Sequence, residues 1–170
     1  YRFKGKAESD CAALDGLVLP LLAKGHDRNV LISDRVPHLE SGIRLIQLRA
    51  HGLDEAAYRD LAHRVFERCD QGEAQVLLNR APEQTHDLPR HCLHLTARVL
   101  MALKVRPGRP GELVGASCHD AAELLQAERL GLDYALLSPV QTTASHPDTL
   151  PLGWDRFADL VDAVTLPVYA

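Results

Sequence analysis

The feature that most restricts how this chain can fold is a short apolar run that turns polar as it ends and passes straight into a helix start. Its clearest instance is Leu113-Val114-Gly115-Ala116-Ser117-Cys118-His119, followed by Asp120 as a helix cap with Glu123 three positions on. The same punctuation recurs. Val30 to Ser33 ends in Asp34-Arg35, Leu45 to Leu48 carries Gln47 and Arg49, Val76 to Leu78 ends in Asn79-Arg80, and Tyr134 to Leu137 runs into Ser138-Pro139. Strands that finish in polar side chains ahead of helices are how α/β barrels assemble a site. Function is therefore expected at several strand ends on one face.

Strand-like runs fall at 30–33, 44–48, 74–78, 92–95, 113–117, 134–138 and 166–169. Helical patterns lie between several of them. Asp54 caps a stripe of Tyr58, Leu61, Ala62, Val65 and Phe66; Asp120 opens a second helix that ends at the Gly131 turn; and Trp154, Phe157, Leu160, Val161 and Val164 form a third stripe. Alternation of this kind implies parallel strands with helices outside, and the seven runs fit a TIM (β/α) barrel better than an open sheet. A barrel closes with eight, so strand eight and the last two helices are expected to be absent from this chain, or the N-terminal segment substitutes for them. Roughly ten residues, Asp34 to Ile43, separate the first two strands, short for a helical crossover, so either the helix is expected to be eroded to a turn around His38-Leu39-Glu40 or residues have been lost from this version of the sequence. The barrel domain is taken as 29–170. Residues 1–28 form an unassigned N-terminal segment, expected to be helical over Asp10 to Lys24 although Gly16 and Pro20 weaken it.

A length of 170 residues suits one domain with a real core. The net charge of −4, with basic residues scattered, offers no long-range attraction to nucleic acid or an anionic membrane, so any anion site must be local. The longest apolar stretch, Leu17 to Ala23, is interrupted by Pro20 and is far short of the roughly 20 residues a bilayer requires. Glu8, Asp10 and Asp15 break up any signal-peptide core. Cys11, Cys69, Cys92 and Cys118 lie far apart without a Cys-x-x-Cys pair, which points to reduced thiols and a cytoplasmic protein.

Strand parity puts Gln47 and Arg49 on one face, and Ser117 and His119 likewise. Both pairs can then point into one cavity; equally, Arg49 can be solvated at a loop and His119 can cap the following helix. The run Pro139 to Pro147 is dense in hydroxyls and carries His146, a composition that suits a phosphate but also an ordinary polar loop. His91-Cys92-Leu93-His94 invites a metal reading, yet Cys92 and His94 face one side and His91 the other, with no second Cys/His pair at finger spacing. No Walker loop, Gly-x-Gly-x-x-Gly or Gly-x-Ser-x-Gly elbow occurs.

Taken in order, these strand ends resemble the thiamine phosphate synthase and thiazole tautomerase (TenI-like) superfamily. Val30-Leu-Ile-Ser-Asp-Arg35 is similar to its opening Thr-Asp-Arg strand, Ile46-Gln-Leu-Arg49 to Val-Gln-Leu-Arg-Glu-Lys, and Leu77-Leu-Asn-Arg80 to Ile-Asn-Asp-Arg. Cys92-Leu-His-Leu95 resembles Gly-Val-His-Leu-Gly, Gly115-Ala-Ser-Cys-His119 resembles Gly-Val-Ser-x-His, and Gly131-Leu-Asp-Tyr134 onward resembles Gly-Ala-Asp-Tyr with its Gly-Pro and Thr-x-Thr continuation. The resemblance covers about residues 30 to 170. It is closest to degenerate members fused behind a Nudix hydrolase, although no Nudix box occurs here.

The resemblance implies a thiamine-biosynthesis enzyme domain with a small-molecule phosphate ligand. By matching position, Gln47 and Ser117 would hold the pyrimidine, Arg49 and Asn79 the diphosphate, and Thr143 and Ser145 the thiazole phosphate. Arg80 stands where the family has a Mg²⁺-binding aspartate, Val99 where it has the second, and His51 and His146 stand in place of two lysines. The family uses Mg²⁺, but its ligands are not retained, so no metal or other cofactor is expected. Arg80 and His146 then become candidate phosphate contacts, and His119, matching the tautomerases' strand-five histidine, the candidate general base. Three readings stay open: a synthase-type transferase, a metal-free thiazole tautomerase or phosphate binder, and a non-catalytic module attached to a Nudix hydrolase. A homodimer is the other partner considered.

Overall fold

The computed structural model describes residues 17–23, 26–33, 45–50, 52–71, 74–89, 92–142 and 150–170. They divide into two compact units, one ending at Leu93 and the other beginning at His94. The turn expected around His38-Leu39-Glu40 lies outside the described residues.

The first unit opens with an antiparallel pair, β1 (Leu17–Ala23) and β2 (His26–Ser33), in register from Leu17↔Ile32 to Ala23↔His26. This corrects the expected helix over Asp10 to Lys24 at Leu17 to Ala23; the rest of that stretch lies outside the described residues. The physical reason is Pro20, which costs about 3 kcal/mol inside a helix but is accepted in a strand paired on one side. From β2 the chain becomes parallel: β2 pairs with β3 (Leu45–Leu48), β3 with β4 (Gln75–Leu78), and β4 with the start of β5 (Leu93–Leu95) through Leu78↔Leu93. All four β3 residues are buried, as expected for a parallel strand covered on both faces.

Between β3 and β4 runs α1 (Glu55–Gln71). It starts where the Ala57 amide donates to Asp54 Oδ1 at 2.8 Å. Tyr58, Leu61, Ala62, Val65, Phe66 and Cys69 recur at helical spacing and are all buried, so the helix is held by its apolar face. On the solvent side Arg59 reaches Glu55 (3.1 Å) and Asp87, and Arg64 reaches Asp60 (3.5 Å). Such exposed pairs are screened by water and contribute little to stability.

The second unit carries the rest of β5, α2 (Ala97–Ala102), β6 (Val114–Cys118), α3 (Ala121–Arg129), β7 (Tyr134–Leu137), α4 (Trp154–Asp162) and β8 (Val168–Tyr169). β6, β7 and β8 are parallel neighbours, with Gly115 opposite Tyr134. Thr96 caps α2, a short helix the periodicity does not signal, and Gln126 of α3 donates to its terminal carbonyls at Leu103 (2.8 Å) and Leu100 (3.3 Å). α3 stops at a Schellman turn: Leu132 donates to Ala127 O, Gly131 donates to Glu128 O, and Gly131 takes φ +66°, which a side chain would resist. Every strand-like run of the sequence thus overlaps a strand, and the pairs β2–β3, β3–β4, β4–β5, β6–β7 and β7–β8 are parallel while β1–β2 is antiparallel. Among the described residues no helix is long and apolar enough to cross a membrane.

Candidate functional site

In the first unit, polar groups gather where β3 and β4 end. Gln47 sits inside otherwise apolar β3, opposite Leu77, and is only 4% exposed. The Asn79 amide donates to Leu48 O at 3.1 Å, which extends the β3–β4 ladder one residue past β4, and the Asn79 side chain is buried. Arg49, just past β3, is exposed. Arg80 is committed locally: its Nη2 donates to the Ala50 and Leu53 carbonyls, both at 2.8 Å, and its guanidinium lies 4.4 Å over the Tyr58 ring. That clasp ties the start of α1 to the end of β4. Its Nε is a buried donor with no partner among the described residues.

This donor set does not fit a divalent cation. Next to Asn79 stands the Arg80 guanidinium, which repels Mg²⁺. Among the described residues no three His, Cys, Asp or Glu side chains come together as a metal set.

In the second unit the end of β6 leads directly into α3. Asp120 Oδ1 accepts from the Glu123 amide at 2.9 Å, and Glu123 reaches back so that its Oε2 takes both the His119 amide (2.6 Å) and His119 Nδ1 (2.9 Å). His119 is therefore part of the cap and, half exposed, remains open to solvent. The α3 N-terminus already carries two carboxylates, so it does not attract a phosphate.

Sequence reasoning missed the buried polar chain beside this cap. His94, 1% exposed, has Nδ1 at 2.9 Å from Tyr134 Oη and Nε2 at 2.9 Å from Ser117 Oγ. Tyr134 in turn meets the edge of Tyr169 with ring centroids 6.1 Å apart. The sequence signal for it is Gly115: a glycine inside a strand marks close approach by a neighbour, here the Tyr134 ring. His51, Thr143, Ser145 and His146 lie outside the described residues.

Cys118 is buried at the end of β6. Burial, with Glu123 and Asp120 adding to it, pushes its thiol up to about 12 from an ordinary 9.0. Burial likewise raises the Tyr58 hydroxyl above its ordinary 10.0. Both groups stay protonated in the fold while the unfolded chain ionises, so their contribution is complete below the unfolded value and is lost as pH rises, from about 9 for Cys118 and from about 10 for Tyr58. Unfolding free energies from urea titrations are expected to be flat in this respect up to pH 9 and then to fall as the thiol and the phenol of the unfolded chain ionise. A Cys118→Ala variant should lose the earlier part of that decline.

The family model for thiamine monophosphate synthase (TMP-TENI) matches residues 22–170. A protein of Aquifex aeolicus assigned to thiamine-phosphate synthase is 30% identical over 132 residues, covering 78% of this chain and 71% of that protein. The thiamine biosynthesis bifunctional protein ThiM/ThiE of Symbiobacterium thermophilum is 31% identical over 161 residues, covering 90% of this chain but only 34% of its own length. A thiamine-phosphate synthase of Desulfitobacterium hafniense is 29% identical, and this chain spans 64% of it. The solved structure of thiamine phosphate pyrophosphorylase from Pyrococcus furiosus superposes with a TM-score of 0.61 at 19% identity, over 82% of this chain and 71% of that one, which shows a shared TIM-like α/β fold. Strand order, strand-end residues and a family match over all but the first 21 residues agree, and the chain belongs to the thiamine monophosphate synthase family.

Proposed function

We propose that the chain binds the phosphorylated pyrimidine and thiazole of thiamine biosynthesis without a divalent cation. The observation that carries this reading is Gln47, an amide buried inside an otherwise apolar strand, where a polar group is costly unless it serves a partner. Gln47 and Ser117 are assigned to the pyrimidine, Arg49 and Asn79 to its diphosphate, and Thr143, Ser145 and His146 to the thiazole phosphate. Arg80, held by Ala50 and Leu53, keeps its buried Nε as a donor that an anion oxygen would satisfy.

A second reading, a metal-free thiazole tautomerase, is favoured by one contact. The Glu123 carboxylate at His119 Nδ1 fixes the proton there and leaves the basic lone pair on Nε2. The Nudix-attached reading gains no support from the named relatives. A thermal-shift titration tests the first reading. The pyrimidine diphosphate and the thiazole phosphate should each raise the melting temperature in EDTA, and Gln47→Leu should raise the midpoint concentration of the pyrimidine response about tenfold. No shift with either compound overturns it. Proton exchange on the thiazole carboxylate phosphate, abolished in His119→Asn, would select the tautomerase.

A further inference from the structure

We propose that Tyr134 is a positioning residue for Ser117, acting through His94, and that together they make the Ser117 hydroxyl a hydrogen-bond donor to an acceptor atom of the ligand, such as an aromatic ring nitrogen. This rests on the reading above in one respect, that Ser117 touches the ligand.

The geometry comes from three strands of one unit. Tyr134 stands on β7 opposite Gly115 of β6, and because Gly115 has no Cβ the phenol lies across β6; a Cβ there would meet the ring at 2.1 Å. Its hydroxyl thereby reaches His94 Nδ1 on β5 at 2.9 Å, and the far side of that imidazole reaches Ser117 Oγ at 2.9 Å. A neutral imidazole has one donor and one acceptor nitrogen, and the bond made at one fixes the role of the other. The phenol is much the more acidic of the two hydroxyls, so it is the better donor to Nδ1. Nε2–H then donates to Ser117 Oγ, and the serine O–H, excluded from Nε2, points its proton away from the histidine. Run the other way, the chain would turn Ser117 inward and leave it only an acceptor. Each member is buried or partly buried, so water does not readily substitute for a missing link.

The position of the imidazole proton is read directly by long-range ¹⁵N–¹H correlation on the ¹⁵N-labelled chain, with the His94 signals assigned by their loss in His94→Asn. The proton is expected on Nε2 in the wild type and in Ser117→Ala. In Tyr134→Phe, with no phenol donor at Nδ1, it should move toward Nδ1. A wild-type proton on Nδ1, or an unchanged tautomer in Tyr134→Phe, overturns the proposal, and the wild-type and Ser117→Ala spectra decide even if Tyr134→Phe folds poorly. Titration with the pyrimidine diphosphate separates this from the functional reading. Tyr134→Phe should weaken binding about 3- to 10-fold, and that loss should vanish when Ser117 is already alanine. An undiminished Tyr134 effect in the Ser117→Ala background overturns the relay. Full affinity in Ser117→Ala, with the tautomers as expected, overturns the pyrimidine assignment and leaves the relay standing.

Discussion

Purified protein given the pyrimidine diphosphate, the thiazole phosphate and Mg²⁺ is expected to form thiamine phosphate at least about 10³-fold more slowly than family members that keep both metal carboxylates and both lysines. The synthase reaction expels diphosphate, and the developing negative charge has to be met by cation or metal. Where the family pattern places an aspartate this chain has Arg80, and its Nη2 is already occupied by the Ala50 and Leu53 carbonyls. Val99 contributes an apolar side chain where the second carboxylate belongs, and His51 and His146 put imidazoles where the family has lysine ammonium groups. Losing a single preorganised charge-stabilising donor costs about 10²–10³ in rate, and here several are changed at once. A discontinuous assay of product with and without EDTA reads this directly. Restoring one carboxylate as Arg80→Asp is not expected to rescue turnover, because it also dismantles the clasp on the β3–α1 connection.

Gly115→Ala is expected to be among the most damaging single-methyl changes in the chain. The added Cβ falls 2.1 Å from Tyr134 Cζ and 2.2 Å from Cε1. The ring cannot swing away cheaply, since it is 5% exposed, edge-on to Tyr169 and bonded to His94. Overpacking of this kind costs about 1–3 kcal/mol when neighbours can adjust, and here the neighbour is a clamped ring across a paired strand. Chemical denaturation should show a loss at or above the upper end of that range. Because the clash is with one side chain, Gly115→Ala combined with Tyr134→Leu should be more stable than Gly115→Ala alone. Strict additivity of the two changes would show that Gly115 is needed for its backbone and not for the ring.

The alternation of apolar runs and helix caps made the parallel strands, α1, α3 and the end of α3 at Gly131 legible, because each depends on local spacing and on caps that sit beside the elements they serve. The N-terminal strand was not, since a run such as Leu17-Val-Leu-Pro-Leu-Leu-Ala reads as either state until its pairing with β2 decides, and that pairing is a tertiary contact. For His119 the outcome is mixed: it does cap α3 through Glu123, and that same bond orients its ring. The Tyr134–His94–Ser117 chain was hidden because it joins three strands, one residue from each. No spacing within a strand reveals it, and only the glycine opposite the tyrosine hints at it.

A thiamine-family ligand site that works without a divalent cation is put to the test by calorimetric titration of the pyrimidine diphosphate into the full chain, once in EDTA and once in millimolar Mg²⁺. The account predicts saturable one-to-one binding in EDTA, with an affinity that Mg²⁺ leaves within about threefold. Binding that appears only when Mg²⁺ is added would contradict it.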